Sequence, residues 1–350
     1  MAYSSIAKPT DYFNTVLYTG NGTAIGSGGQ AITGVGFQPD FLWIKNRSSA
    51  LHHGVFDVVR GTPKRLLTSS TAAEDSNAET VDSFDADGFT VGSNSNVNGS
   101  GNSLVAWNWL AANGTASNSN GGTSSTVSVN TTVGLSIVGW AGAGSATTVG
   151  HGLGVAPKVV LVKNRSEVYG WQMYHESLGN GKYLSLSVND AVVTSSQSWN
   201  DTSPTSSVFS VGASDSNNKS GNNIIAYCFA EKQGYSKFGQ YEGNANADGT
   251  YIYTGFKPAV VIVKNIDAAE NWIIFDNKRP GYNLTDALLK PNLNNAESTS
   301  GVKFDLLSNG FKARVSDAEG NSSATFIYLA FAENPFVGND SGTAVPVTAR

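Results

Sequence analysis

Cys228 is the only cysteine in 350 residues, so the chain can form neither an internal disulfide nor a cysteine-based zinc site. Histidine is scarce too, limited to His52, His53, His151 and His175. Charged residues make up 14% of the chain, its formal net charge is -5, and no basic block or aromatic–basic stripe occurs. Nucleic acid is therefore not an expected partner, since phosphate binding needs clustered Lys and Arg. No apolar run approaches the roughly 20 residues that cross a bilayer, so no membrane partner is expected. The opening MAYSSIAKPTDYF lacks the charged region and apolar stretch of a secretion signal. Synthesis in the cytosol is expected, with any exit by a route other than general secretion.

What is present points to strands. The chain holds 39 glycines, 16 phenylalanines, 13 tyrosines and 7 tryptophans, enough apolar mass for cores rather than general disorder. Turn formers alternate with short aromatic or β-branched runs, which is the pattern of an all-β protein. Helix is expected only as short turns near 71–79 and 284–289.

One phrase occurs three times. Phe37 to Arg47 reads FQPDFLWIKNR, Val155 to Arg165 reads VAPKVVLVKNR, and Phe256 to Ile266 reads FKPAVVIVKNI. A proline and one further residue lead into four consecutive apolar residues and then Lys-Asn. Such a run predicts a buried strand, with the proline at its mouth, where a missing N–H does no harm. Aligning the copies on Pro39, Pro157 and Pro258 brings other residues into step. Seventeen positions on stand Phe56, Tyr174 and Phe275, each preceding Asp57, His175 or Asp276. Further along come Phe89, Phe209 and Phe311, and twenty positions beyond each stand Trp109, Phe229 and Phe331. Trp171 and Trp272 also recur at equal spacing and are expected to be core.

Equal spacing of apolar anchors with free loop lengths predicts three tandem antiparallel β-sandwich repeats, jelly-roll or concanavalin-like, of about 100 residues each. They span 17–114, 136–239 and 240–338. An N-terminal arm covers 1–16, its Tyr12 and Phe13 suited to docking, for instance on a neighbouring chain. Residues 115–135 are rich in Ser, Thr, Gly and Asn and read as a flexible or extended linker. Repeats two and three, joined by the short KQGYSKFGQY, are expected to pack closely as one unit. A tail covers 339–350.

Signals of chemistry are weak. His52 and His53 are adjacent, so on a strand they would point to opposite faces, which argues against a shared metal. Asp85-Ala86-Asp87-Gly88 and the stretch 244–249 with Asp248 resemble fragments of calcium loops, but Asp-Gly turns explain them more simply. Asp57, Asp276, Glu231 and Glu333 could in principle supply the two acids of a glycosidase. Their recurrence at equivalent positions favours a structural role such as pairing with lysine. No nucleophile elbow occurs, and no cofactor, metal site or catalytic residue is expected. The candidate surface-contact residues are Trp199, Tyr169 and Trp140. Of these Trp199, inside SQSWNDTSPTS, has no counterpart in the other repeats.

The phrases together resemble a family of tailed-phage virion proteins common among phages of marine bacteria. The resemblance rests on YFNTVLYTGNG, GFQPDFLWIKNR, DGFTVGSNSNVNGSGNSLVAWNWLAANG and AYCFAEKQGYSKFGQYEGNANADGTYIYTGFKP, and it covers Tyr12 to Gly338. It implies a non-enzymatic structural protein of the virion, made in the host cytoplasm, in an exposed tail or fibre. The expected partners are other virion proteins, copies of itself (a trimer if a fibre) and a host-surface glycan. Capsid decoration or a head fibre is the first alternative and a glycan depolymerase the second. A cellular carbohydrate-binding module fits less well, for want of a secretion signal.

Overall fold

The computed structural model describes residues 4–280, 282–301, 303–340 and 343–346. Each repeated phrase forms a strand: Phe41–Asn46, Val159–Asn164 and Phe256–Asn265. Every residue from the first apolar position to the asparagine is buried in all three. Continuous apolar sequence is required because both faces of each strand meet a core.

The protein is all-β, with several antiparallel sheets. Three large sheets hold the repeated strands. Large sheet I runs in the order 13–19, 103–109, 41–46, 54–57, 64–67, 75–76. Large sheet II runs 116–118, 125–130, 135–141, 223–229, 159–164, 172–175, 182–185, 193–194. Large sheet III runs 236–242, 325–335, 256–265, 273–276. Register is shared as well. Phe41 lies between Trp109 and Asp57, Val159 between Phe229 and His175, and Val260 between Phe331 and Asp276. A small sheet accompanies each large one: 30–33, 88–91, 81–85 for I; 147–150, 208–211 for II; 251–253, 310–313, 304–307 for III. Strands 337–340 and 343–346 form a final hairpin.

Alternation along the repeated strands divides the apolar residues between cores. Leu42 and Ile44 join a cluster with Ile32 and Phe89 of small sheet I. Val160 and Val162 do the same with Val149 and Phe209 of small sheet II, and Val261 and Val263 with Ile252 and Phe311 of small sheet III. The other face of all three strands enters one common cluster: Phe41 and Trp43, Val159 and Leu161, Val260 and Ile262. The three large sheets thus close around a single central core. Phe229 and Phe331 meet edge to face there at 5.5 Å, and Phe41 and Tyr227 are 4.4 Å apart. Aromatic pairs at such separations add to simple area burial.

Several expectations change. Repeats two and three are not a separate pair, because the first shares the same core. Residues 115–135 contain strands 116–118 and 125–130, which extend large sheet II through pairing with Leu135–Ala141. Phe13 of the arm is buried against Trp109 and Phe331 of its own chain, at 4.7 and 5.7 Å. The segment 71–79 holds a two-residue strand and 284–289 holds isolated bridges instead of helical turns. Short helices lie at Ser95–Asn98, Ser196–Trp199 and Asp215–Asn218. Of the tail 339–350, residues 341–342 and 347–350 lie outside the described residues, as do 1–3 of the arm.

Candidate functional site

The residues with chemical capacity concentrate where the large sheets meet. Between sheets I and II, Asp57 and Arg60 are both fully buried, with Arg60 Nε donating to Asp57 Oδ2 at 2.5 Å. Asp57 ends a strand and Arg60 sits in the next turn, so its backbone N–H also reaches Asp57 Oδ1 at 2.9 Å. Across the seam, Tyr227 donates its hydroxyl to Asp57 Oδ2 at 2.6 Å. Arg60 continues to Glu74 at 3.2 Å, and Arg165 of sheet II grips Glu74 with both ends of its fork at 2.9 and 2.8 Å.

The seam between sheets III and I repeats this set. Arg279 Nε donates to Asp276 at 2.6 Å, Arg279 reaches Glu297 at 3.1 Å, and Arg47 grips Glu297 at 2.9 and 2.7 Å. The cross-seam donor is the indole of Trp107, 3.1 Å from Asp276 Oδ2. Between sheets II and III the same positions hold His175, Leu178, Val192 and Ile266, so this seam is apolar. Leu178 belongs to the central cluster, and Val192 and Ile266 pack against it. One backbone bond is common to all three seams: Glu74 N–H to Arg165 O, Val192 N–H to Ile266 O, and Glu297 N–H to Arg47 O, at 2.8, 2.9 and 2.8 Å. The seams are therefore related cyclically.

Electrostatics follow from enclosure. Burial opposes the charge of Arg60, but Asp57, Tyr227 and Glu74 outweigh it and its pKa is raised. The charged network is internally compensated, as buried ions must be. His175 is nearly sealed from water, and burial lowers its pKa to about 4. Its Nδ1 accepts from Ser177 N–H at 3.2 Å, and its Nε2 lies 3.5 Å from Tyr328 O. His53 takes the place held by Trp171 and Trp272, and its Nδ1 accepts the indole N–H of Trp43 at 3.0 Å. Lys45, Lys163 and Lys264 are fully buried, and burial lowers each to about pKa 8. Each ammonium donates to the carbonyl of the following asparagine and to a loop carbonyl beyond it. Those asparagines, Asn46, Asn164 and Asn265, reach the loops at Ser95, Asp215 and Ala318 through their amide nitrogens. The repeated Lys-Asn therefore organises loops from inside the protein.

The candidate contact residues do not come together. Trp199 is 2% exposed, packs edge-on against Tyr174 at 5.9 Å, and donates its indole N–H to Lys182 O at 3.0 Å. Trp140 is 5% exposed and packs on Phe209 in the outer core of sheet II. Neither offers a contact surface; the loop sequence around Trp199 reads as exposed, but a short helix turns the ring inward. Tyr169 is half-buried, with its hydroxyl 3.2 Å from Asp215 and Lys219 5.7 Å from its ring centre. Glu231 and Glu333 pair with Lys158 and Lys257, at 3.7 and 3.2 Å. Asp87 accepts from the N–H groups of Gly34 and Gly36, at 3.0 and 2.6 Å, in a turn.

Open concavities lie on the surface. One, of about 390 Å³, lies between Val59 and the sheet II wall of Ser117, Ser124, Thr126 and Gly139, with Arg165 at its side. The stretch 115–135 supplies Ser117, Ser124 and Thr126 of that wall. Another, of about 350 Å³, lies beside Tyr253 and Lys237, and a third, of about 290 Å³, beside Ala112, Val127 and Val129. Among the described residues no group of three His, Cys, Asp or Glu is placed to hold a metal. The readable signal for the seams was Asp-x-x-Arg at 57–60 and again at 276–279; Arg47 and Arg165 each follow a repeated Lys-Asn.

These features define an all-β protein of antiparallel sheets whose buried polar residues tie one sheet to the next. The chain belongs to the family described as a domain of unknown function, DUF7483, whose model matches residues 8–335. No curated protein and no solved structure matches it.

Proposed function

We propose that this chain is a non-enzymatic structural protein of a tailed-phage virion, an exposed tail or fibre component that touches host-surface glycan. On this reading it is made in the host cytoplasm and joins copies of itself (three in a fibre) and other virion proteins. The observation that carries the reading is the placement of Asp57 and Asp276. Both carboxylates are fully buried and bonded to arginine and to an aromatic donor across a seam. A glycosidase needs its two acids to flank a sugar, so their enclosure favours a structural role over a depolymerase. The phage-like phrases supply the setting.

The same reading takes the chain as three tandem sandwich repeats, 17–114, 136–239 and 240–338, each a large sheet faced by a small one. Matched registers and three separate outer clusters support this division. The cyclic relation of the seams favours capsid decoration as the second reading, because a body with three similar faces suits a threefold position on a lattice.

Peptide mass spectrometry of purified particles, with a cryo-electron microscopy map, tests both readings. Absence of the chain from purified virions defeats them. Hundreds of copies per particle select decoration, and a few to tens select a tail appendage.

A further inference from the structure

The threefold correspondence shows which parts of the surface the fold does not require. Large sheets I and III end at strands 13–19 and 236–242, but large sheet II carries 125–130 and 116–118 beyond the equivalent strand Leu135–Ala141. This extension walls the concavity of about 390 Å³ at the seam between sheets I and II. Gly139 keeps its floor low. The matching positions in the other sheets hold Leu17 and Gln240, whereas a Cβ on Gly139 would stand 3.1 Å from a methyl of Val59 across the seam.

Sheet pairing fixes what faces the space. Ser117, Thr126 and Gly139 form one cross-strand row. Ser124 lies two positions from Thr126 and so shares its face. In the adjoining row Ala141 pairs with Asn223, whose carbonyl accepts the backbone N–H of Arg165 at 2.9 Å. Adjacent strands are about 4.8 Å apart and alternate residues about 7 Å, so the polar groups cover a patch that holds one or two sugar rings.

The donors define the ligand. Among the described residues, the hydroxyls of Ser117, Ser124 and Thr126 and the side-chain amide of Asn223 have no hydrogen-bond partner. Arg165 directs Nε and Nη2 at Glu74, which leaves its Nη1 without a protein partner. The side chain is 14% exposed and is held in place by that fork. One cation and no carboxylate line the concavity. A fixed guanidinium nitrogen among hydroxyl and amide groups suits an oxyanion, because charge-assisted bonds from Arg are strong and hydroxyls turn their hydrogens toward an acceptor.

We propose that this concavity binds an oxyanion, a carboxylate or sulfate ester, carried by an acidic saccharide. Arg165 Nη1 meets the anion, and Ser117, Ser124, Thr126 and Asn223 meet the flanking sugar hydroxyls. The saccharide rests on the glycan-contacting part of the reading above; the oxyanion follows from the donors of the site.

Isothermal titration calorimetry on the full chain tests it, with trigalacturonate and a heparin tetrasaccharide as acidic probes, maltotriose as the neutral one and sodium sulfate as the free ion. At least one acidic saccharide should bind, and more tightly than maltotriose or sodium sulfate. Ser117→Ala, Ser124→Ala and Thr126→Val together remove exposed hydroxyls that bond nothing in the fold. The triple variant should therefore keep the thermal midpoint while weakening that saccharide about tenfold or more. Arg47 grips Glu297 as Arg165 grips Glu74, but sheet I carries no such wall beyond strand 13–19. Arg165→Lys should thus weaken the saccharide, and Arg47→Lys should not. No binding of either acidic probe, maltotriose binding as tightly, or a triple variant that binds unchanged overturns the site. Sodium sulfate binding as tightly as the heparin tetrasaccharide would assign the concavity to a free anion and overturn the saccharide. Failure here, with the chain present in purified virions, leaves the structural reading intact.

Discussion

The hydroxyl of Tyr227 donates to Asp57 Oδ2 at 2.6 Å although the two residues are 170 positions apart and both fully buried. That bond joins a strand of large sheet II to a strand end of large sheet I. It also makes Asp57 the meeting point of an intrasheet ion pair and an intersheet hydrogen bond.

Replacing Asp57 by Asn should therefore destabilise the whole chain. Arg60 would remain buried with only Glu74, which it shares with Arg165, as counter-charge, and breaking a buried pair costs about 3 to 5 kcal/mol. Tyr227→Phe removes one hydrogen bond to a charged acceptor and should cost about 1.5 to 3 kcal/mol. Urea unfolding measures both. A loss below about 1 kcal/mol for Asp57→Asn would show that the network contributes little.

The apolar seam suggests a second experiment. Asp276, Arg279, Glu297 and Arg47 can be changed together to His, Leu, Val and Ile, the residues of the seam between sheets II and III. Removing an entire buried ion cluster avoids leaving any one charge unpaired. The quadruple variant should lose less stability than the sum of its four single variants. Additive losses would mean that the four residues act independently.

A third expectation concerns acid. His175 is held at about pKa 4 by burial, against an ordinary 6.5. Between those values the unfolded chain binds more protons than the folded one, so stability falls as pH drops through that window and is complete above it. The full effect is ~3 kcal/mol below pH 4. Asn at this position keeps an acceptor for the Ser177 N–H but does not titrate. His175→Asn should flatten the fall in unfolding free energy between pH 6.5 and 4, compared with the unaltered chain. Parallel curves would remove His175 from the acid response. His53 and His151, both also lowered by burial, remain in both proteins.

The buried lysines can be tested in the same way. Lys163 donates to the carbonyls of Asn164, Tyr169 and, across the seam, Thr71, at 2.8, 2.7 and 3.3 Å. Lys163→Met keeps the length of the side chain but leaves these carbonyls without that donor. A loss of about 1 to 3 kcal/mol is expected. Hydrogen exchange should quicken around 71 and 169 before it does elsewhere. Unchanged exchange at both loops would show that the ammonium does not organise them.

How far the sequence foretold this can be traced residue by residue. The repeated strands were readable because four successive apolar residues have no other economical placement than between two cores. Spacing from the prolines correctly placed Asp57, His175 and Asp276 in equivalent registers. Spacing could not say that the large sheets share one core, because Leu42 and Trp43 look alike as apolar residues while facing different clusters. The acid that links each arginine pair was hidden by loop length: Glu74 lies 35 positions after Pro39, but Glu297 lies 39 after Pro258. Strand 125–130 was missed because the Ser-, Gly- and Asn-rich sequence around it masks the strand-forming Thr126, Val127 and Val129; its register comes from the edge of Leu135–Ala141. Trp199 was misplaced because a polar loop sequence does not reveal which way a short helix turns its last side chain.

The cyclic order of the seams constrains how such a chain can change over time. A linear array tolerates the gain or loss of a terminal unit, since each unit touches only its neighbours. Here the loop at Glu297 returns to Arg47, so the last large sheet is bonded to the first. A duplicated or deleted unit would break that return bond and open the central core to water. Any such change would have to rebuild that closing bond, whereas the outer faces already differ freely, with Ala31 and Thr33 in one sheet at the positions of Tyr251 and Tyr253 in another.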